Sequence, residues 1–276
     1  GVTTVTNSLG HATVYQYNDY GLVTSEVDAL GNVETTIWDT DMNKIAVTDK
    51  NGNTTAFTYD AMGNLTSVTD PAGAVSTFDY EPAFNQVIRS VDPLMNAAEY
   101  DYDGSGNLIV TRDALLNETE YQYDTAGNVI SSTDANGNTT TFAYDTAGNL
   151  ISTTDALGNV TQFTYDATGN VLSIIDALGR VTAFTYDGLN RQTSITYADL
   201  AQVQFAYDAL GNRTRITDAK GGATNFVYDS YSRLAETMNG LAYVTSYAYD
   251  TEGNQLSVTD ANGNAHGASW LLKPLQ

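Results

Sequence analysis

One short pattern occurs twice in residues 139–170, which read TTTFAYDTAGNLISTTDALGNVTQFTYDATGN. Its marker is a Tyr-Asp pair, and this pair returns with a spacing of 21 residues along most of the chain. The pair becomes Tyr-Glu once, at Glu81, and one inserted residue precedes the next pair. A second aspartate stands ten residues before most of the tyrosines, so each repeat has two turn signals. The tyrosines that mark the repeat are Tyr59, Tyr102, Tyr123, Tyr144, Tyr165, Tyr186, Tyr207, Tyr228 and Tyr249.

Each of these aspartates is followed, in most repeats, by a glycine three residues later. An aspartate side chain accepts hydrogen bonds from backbone N–H groups two residues onward, which starts a turn. Glycine adopts the positive φ that closes a hairpin with a bulge. The sequence therefore predicts two hairpin turns in each repeat. Glycines at this position after the Tyr-Asp pair include Gly127, Gly148, Gly169 and Gly211.

The segments between the turns alternate with a period of two, as half-buried strands do. Thr55, Phe57 and Tyr59, for example, fall on one face of such a strand. We therefore predict an all-β protein, in which about thirteen tandem repeats form one antiparallel meander of roughly 25 short strands. A sheet of that width twists, so we expect it to curl into a spiral or a tube wall. In this interpretation residues 1–276 are a single repeat array without a separate catalytic domain.

The charge of the chain is strongly acidic, with 33 Asp and Glu against 11 Lys and Arg and a net charge of −22. Such a surface repels phosphate groups, so we expect neither nucleic acid nor an anionic lipid surface as a partner. No apolar run reaches the ~20 residues that span a bilayer, and membrane insertion is not expected. The chain has no cysteine, which excludes disulfides and thiolate chemistry.

Residues with catalytic chemistry are present but do not form a recognisable constellation. His11 and His266 lie near opposite ends of the sequence without a partner motif, and the carboxylates recur as turn formers. We therefore expect no enzymatic activity and no cofactor. Calcium binding is the open alternative to turn formation, because Asp49, Asp134 and Asp260 each begin an Asp-x-Asn-x-Asn segment. Most equivalent turns carry an apolar residue in the middle and lack a downstream glutamate, which favours turn formation.

Three segments depart from the repeat pattern, at residues 81–99, 197–204 and 239–243. In the first, Met95 stands where glycine is expected, and in the second Asp199 is displaced from the usual aspartate position. We interpret these segments as decayed repeats with local bulges. The alternative is that they are docking sites, because loop variation in repeat proteins often marks the binding face.

The first and last strands have no capping element in the sequence, and bare edge strands are templates for pairing with another chain. We expect head-to-tail stacking, in which a strand with Ala268 and Trp270 pairs with the edge strand of the next subunit. That edge strand carries Val2, Thr4 and Thr6. Such a contact continues into a fibre or a tube unless its rotation closes. Alternatively, the flanking repeats of a longer chain supply both edges.

The segments YDTAGN (144–149), YDATGN (165–170) and YDGLNR (186–191) resemble the YD repeats of Rhs proteins, Tc-type insecticidal toxins and teneurins. The resemblance extends over essentially the whole chain. It implies a spiralling β-sheet that builds a hollow shell, together with secretion or display at the cell surface. The self-cleaving aspartic protease segment that usually follows a bacterial Rhs shell has no counterpart in this sequence, so we expect no closed capsule from this chain alone.

The expected function is therefore structural, as the scaffold of a secreted or cell-surface filament, tube or shell wall. The alternative is a segment of a larger toxin-encapsulating shell or adhesin that binds glycans or a protein receptor. Stacked repeats would carry two columns of aromatic rings, at the marker position and two residues before it. In the alternative, these columns or the irregular segments 81–99 and 197–204 would form the contact surface.

Overall fold

The computed structural model describes residues 1–267, which form two compact units. The first unit comprises Gly1–Thr140 and the second begins at Thr141. Regular structure in the described residues consists of β-strands joined by short turns, which confirms the predicted all-β class. No helix long and apolar enough to cross a bilayer occurs in this part of the chain.

The strands of the first unit alternate between five and six residues. They are β1 (Val2–Thr6), β2 (Ala12–Tyr17), β3 (Val23–Val27), β4 (Val33–Trp38), β5 (Lys44–Thr48), β6 (Thr54–Tyr59), β7 (Leu65–Thr69), β8 (Val75–Tyr80), β9 (Val87–Val91), β10 (Ala97–Tyr102), β11 (Leu108–Arg112), β12 (Glu118–Tyr123), β13 (Val129–Thr133) and the first residues of β14 (Thr139–Tyr144).

The second unit continues the same alternation until its last described strand. It contains the rest of β14, followed by β15 (Leu150–Thr154), β16 (Val160–Tyr165), β17 (Val171–Ile175), β18 (Val181–Tyr186), β19 (Gln192–Thr196), β20 (Gln202–Tyr207), β21 (Arg213–Thr217), β22 (Ala223–Tyr228), β23 (Leu234–Met238), β24 (Val244–Tyr249), β25 (Gln255–Thr259) and β26 (Ala265–Gly267).

Within each unit the strands form an antiparallel meander in which each strand pairs with its neighbours in sequence. The register shifts by one residue just before the aromatic residue that ends each six-residue strand, as between Thr58 and Tyr59. This shift is a β-bulge, which leaves one residue of the following strand without a ladder partner and increases the local twist. The bulge therefore recurs once per repeat beside the marker tyrosine.

The two faces of the meander differ in chemistry. On the aromatic face, which holds the marker tyrosines, Tyr59 lies opposite Leu65 and Phe57 opposite Val68. The hydroxyl face on the other side carries small polar residues, and the hydroxyl oxygens of Thr58 and Ser67 lie 2.6 Å apart there. The period-two alternation predicted from the sequence thus corresponds to two distinct faces.

In neither unit do residues 1–267 form a second layer that would enclose a core. Among the described residues only Val91 and Ser194 are buried, at 8% and 6% exposure. The chain exposes 17,921 Å², whereas a compact monomer of this mass exposes about 11,600 Å². Cross-strand contacts between half-exposed side chains on the aromatic face therefore provide most of the apolar burial. The predicted curling of the sheet into a spiral or tube wall stays a prediction.

Candidate functional site

The repeated turns are built around one carboxylate. Asp166 Oδ1 accepts the backbone N–H groups of Thr168 and Asn170, each at 2.9 Å, and Oδ2 accepts the side-chain amide of Asn170 at 2.8 Å. The aspartate thus fixes the turn by side-chain bonds in addition to the backbone ladder. The same set of bonds, with asparagine four residues after the aspartate, forms at Asp28, Asp39, Asp49, Asp60, Asp92, Asp103, Asp113, Asp124, Asp134, Asp145, Asp155, Asp208, Asp250 and Asp260.

These hydrogen bonds favour the ionised carboxylate. The side-chain amide of Asn170, the Thr168 hydroxyl and the backbone N–H groups lower the pKa of Asp166 from 3.8 to about 2. The pKa of Asp28 is lowered to about 2 as well, chiefly by its bond from Asn32. Carboxylates held in this state are poor proton donors at neutral pH. These carboxylates therefore act as hydrogen-bond acceptors that stabilise the turns.

The three turns with the Asp-x-Asn-x-Asn pattern bond in the same way as turns that lack it. Asp49 accepts N–H groups from Asn51 and Asn53, and Asp155 accepts the equivalent groups in a turn with Leu157 in the middle. Turn formation therefore accounts for these aspartates without a metal. Within residues 1–267 no group of His, Asp and Glu side chains is arranged to hold a metal ion. Calcium binding at these turns stays an untested alternative.

The marker tyrosines make a bond that the sequence analysis did not anticipate. The hydroxyl of most of them donates to the backbone carbonyl 15 residues earlier, at the first residue of the preceding five-residue strand, as Tyr165 does to Leu150 at 2.8 Å. This carbonyl lies beside the bulge, where the regular ladder is interrupted. The same bond is made by Tyr59, Tyr80, Tyr102, Tyr123, Tyr186, Tyr207, Tyr228 and Tyr249.

A signal for this bond was present in the sequence. The marker position holds tyrosine or tryptophan, both of which carry a polar donor, and Trp38 donates its Nε1–H to the Val23 carbonyl at 2.8 Å. The aromatic position two residues earlier is mostly phenylalanine, which has no donor. Tyr144 ends β14 at the equivalent bulge, opposite Leu150. Burial raises the pKa of the hydroxyls of Tyr80, Tyr102, Tyr123 and Tyr186.

The glycine position of the turns requires a left-handed backbone. Gly127, Gly148, Gly169 and Gly211 have φ values of 87°, 86°, 87° and 92°. Where glycine is replaced, the backbone keeps this conformation, which costs an L-residue roughly 1–2 kcal/mol. The residues that adopt it with φ between 59° and 68° are Met42, Met95, Leu116, Asn190, Leu200, Ser232 and Ala242.

Two turns replace the asparagine by an arginine that reaches the next repeat. Arg191 pairs with Asp187 at 2.7 Å and donates Nη1–H to the carbonyl of Asp208 at 2.9 Å. Its guanidinium stacks on the ring of Tyr207 at 4.7 Å. Two repeats later, Arg233 makes the same contacts: it pairs with Asp229, donates to the Asp250 carbonyl and stacks on Tyr249. These arginines connect successive turns on one edge of the second unit.

The irregular segments fold mostly as ordinary turns. Asn239 supplies the acceptor oxygen that aspartate provides elsewhere, so residues 239–243 are regular in structure. The insertion after Glu81 gives a longer turn, closed from the Glu81 N–H to the Gln86 carbonyl at 3.0 Å. In this turn Phe84 lies against Gly106, where an added Cβ would be 3.3 Å from the ring. The first segment therefore contains a lengthened turn, whereas the third forms a turn of the ordinary kind.

The remaining predicted residues lie on the periphery. Val2, Thr4 and Thr6 belong to β1, which is exposed throughout and pairs with β2 on one side. Ala268 and Trp270 lie outside the described residues. His11 and His266 are both exposed, the first in a turn and the second in β26.

Turns fixed by aspartate and tyrosine–carbonyl bonds between strands define a tandem-repeat β-sheet protein. The chain belongs to the RHS repeat family. The family model matches residues 45–75, 123–160, 144–177, 165–200, 207–240 and 228–265, which together cover more than half of the chain. The comparison with curated protein sequences finds no match.

Solved structures share the fold. The crystal structure of TcdB2-TccC3 without its hypervariable C-terminal region superposes with a TM-score of 0.69 and 15% identity, covering 96% of this chain and 18% of that one. The Tc holotoxin pore of Photorhabdus luminescens gives a TM-score of 0.54 and 16% identity, covering 95% of this chain and 18% of that one. At this level of identity the likeness concerns the fold alone, and this chain spans less than a fifth of the structures it matches.

Proposed function

We propose that this chain is a wall segment of a β-sheet shell, tube or filament, with a structural role. The observation that carries the proposal is the one-layer architecture of each unit, in which both faces stay open and only two described residues are buried. A catalytic domain needs a pocket in a packed scaffold, whereas a wall needs only lateral continuity. The membership in the RHS repeat family and the fold shared with Tc toxin proteins support this role.

The wall is treated as one repeat array over residues 1–276, because the 21-residue spacing of the tyrosines continues from Tyr123 through Tyr144 to Tyr165. The turn aspartates accept the bonds that fix the turns, and the marker hydroxyls make interstrand bonds, which supports a non-enzymatic role. A secreted or cell-surface location follows by analogy with the toxin proteins that share the fold.

Lateral growth of the wall is the second part of the proposal. The outer edge of β1, with Val2, Thr4 and Thr6, offers backbone groups for another strand. A second copy of the chain or a flanking repeat of a longer chain would supply that strand. The small share of each toxin chain that is covered favours a wall larger than this chain.

Small-angle X-ray scattering and negative-stain electron microscopy of the purified chain test the proposal. A compact globule of 276 residues has a radius of gyration of about 19 Å. As one continuous layer, the proposed array of 26 strands would extend ~125 Å, so we expect a radius well above that of the globule. A radius near the globular value would contradict the wall. Fibres or shell fragments of ~30 kDa chains would support self-assembly. Isolated sheets would refute self-assembly but would remain consistent with a role as a wall segment.

Receptor or glycan binding is the alternative function. The marker tyrosines give it little support, because their hydroxyls are bonded to backbone carbonyls and are not available to a ligand. The irregular segment at Tyr197 gives it more specific support, because Tyr197 and Arg180 line a cleft.

A further inference from the structure

A cleft of about 480 Å³ lies on one edge of the second unit, between two turns that are neighbours on that edge. Its volume falls within the roughly 300–1,000 Å³ of small-ligand sites. The residues that line it are Ile174, Asp176, Arg180, Thr182, Tyr197, Ala198 and Asp199.

One wall of the cleft is a turn that lacks the usual aspartate and asparagine. Tyr197 occupies the aspartate position and Ala201 the asparagine position, so the side-chain bridge found in the other turns is not formed. The turn is held instead by the backbone and by Asp199, whose Oδ1 accepts the Ala201 N–H at 3.0 Å. Tyr197 is 42% exposed. An aromatic surface is thus presented where other repeats place a carboxylate.

The facing wall carries a guanidinium with free donors. Arg180 replaces the asparagine of its turn, and its Nε–H donates to Asp176 Oδ2 at 2.6 Å. The side chain of Arg180 is 66% exposed. Its Nη groups make no hydrogen bond to any described residue, whereas Nη1 of Arg191 is bonded to the Asp208 carbonyl. Arg180 is therefore able to donate to a ligand in the cleft.

We propose that this cleft is a binding site for a neutral saccharide. The C–H face of a pyranose ring stacks on an aromatic ring such as Tyr197, and adjacent hydroxyls both donate and accept hydrogen bonds. Asp199 supplies an acceptor through Oδ2, since only its Oδ1 is engaged in the turn, and Arg180 supplies paired donors, a combination that matches adjacent hydroxyls. Two carboxylates at the rim and the net charge of −22 disfavour an anionic sugar. A basic peptide is disfavoured by Arg180 itself.

The site is additional to the wall and does not depend on assembly. The test uses saturation-transfer difference NMR on the full chain with cellobiose, maltose and N,N′-diacetylchitobiose as probes and sialyllactose as the anionic comparator. We expect transfer to at least one of the three neutral disaccharides at millimolar concentration.

The variants are chosen so that they fold. Tyr197→Asp combined with Ala201→Asn restores the turn found in other repeats, and Arg180→Asn restores the usual asparagine. We expect the double variant to weaken binding by about tenfold or more and Arg180→Asn by about tenfold, the factor for ~1.4 kcal/mol. Leu178→Ala is the control, because Leu178 lies in the same turn as Arg180, is 78% exposed and does not line the cleft.

Absence of transfer to all three neutral sugars, or transfer to sialyllactose alone, overturns the proposal. So does binding that is undiminished in the double variant. An X-ray scattering curve of each variant that matches the parent chain shows that the wall is unchanged, so that failure of the site and failure of the wall are separated.

Discussion

The bond between a marker tyrosine and the preceding strand can be tested within β12. Tyr123 donates its hydroxyl to the Leu108 carbonyl at 2.7 Å, and burial together with Tyr121 and Asp103 raises its pKa. Tyr123→Phe removes this bond and leaves the ring in place. A hydrogen bond of this kind contributes about 0.5–1.5 kcal/mol net. At about 1.4 kcal/mol per factor of ten, local opening should become about 2- to 13-fold more frequent.

Hydrogen–deuterium exchange followed by mass spectrometry measures this opening in the peptides that contain β11 and β12. The control is Tyr121→Phe, two residues earlier on the same face, where the hydroxyl makes no hydrogen bond to a described residue and the ring lies opposite Ser132. We expect exchange in the control to match the parent chain. Equal acceleration in both variants would mean that the hydroxyls act through general polarity, and no acceleration in either would refute a stabilising bond.

Three further perturbations follow from the turns. The pKa of Asp166 falls from 3.8 to about 2 on folding, so its contribution to stability is present above pH 3.8 and is lost as the pH falls towards 2. The drop in melting temperature over this pH range should be smaller in Asp166→Asn than in the parent chain. An equal drop in both proteins would contradict a stabilising role of the ionised carboxylate. Gly127 has a φ of 87°, so Gly127→Leu should lower the free energy of unfolding by roughly 1–2 kcal/mol. Leu116 occupies the equivalent turn position with a φ of 64°, so Leu116→Gly should raise the free energy of unfolding. Urea unfolding in which both variants shift stability in the same direction would argue against backbone strain at the glycine position of the turns. Arg191→Asn removes the stacking on Tyr207 at 4.7 Å, which contributes about 0.5–1 kcal/mol, together with the bond from Nη1 to the Asp208 carbonyl at 2.9 Å. We expect faster hydrogen exchange in β19 and β20, and exchange equal to the parent chain would show that neither contact stabilises the sheet.

The turns and strands were predictable because their causes are local. An aspartate followed by glycine three residues later sets both ends of a hairpin, so the predicted count of roughly 25 strands lies close to the 26 observed in residues 1–267. Asn239 shows the limit of prediction from the pattern: the sequence indicates a break there, whereas the side-chain oxygen of Asn239 accepts the same turn bonds as an aspartate. What decides this turn is whether the side chain has an oxygen that accepts backbone hydrogen bonds, not whether the residue is aspartate.

Contacts between strands were less predictable. The tyrosine–carbonyl bond depends on the bulge between Thr58 and Tyr59 and its equivalents, and a bulge shifts the register by one residue without changing the hydrophobic pattern. The cleft at Tyr197 and Arg180 depends on two turns that are 21 residues apart in sequence and neighbours on one edge. Neither Tyr197 nor Arg180 predicts a cleft by itself. The cleft forms because the two turns that carry them are neighbours.

The backward direction of the tyrosine bonds has a consequence for how such a chain acquires its structure. The tyrosine–carbonyl bonds run to the strand that precedes the tyrosine, and the longest hydrogen bond described, from Lys50 to Glu26, spans 24 positions. Sheet proteins usually fold slowly because distant segments must meet, and here the entropy of closing each loop is that of a short one. A newly emerged repeat therefore finds its partner already in place. A chain of this design can fold progressively from its N-terminal end while the remainder is still being synthesised.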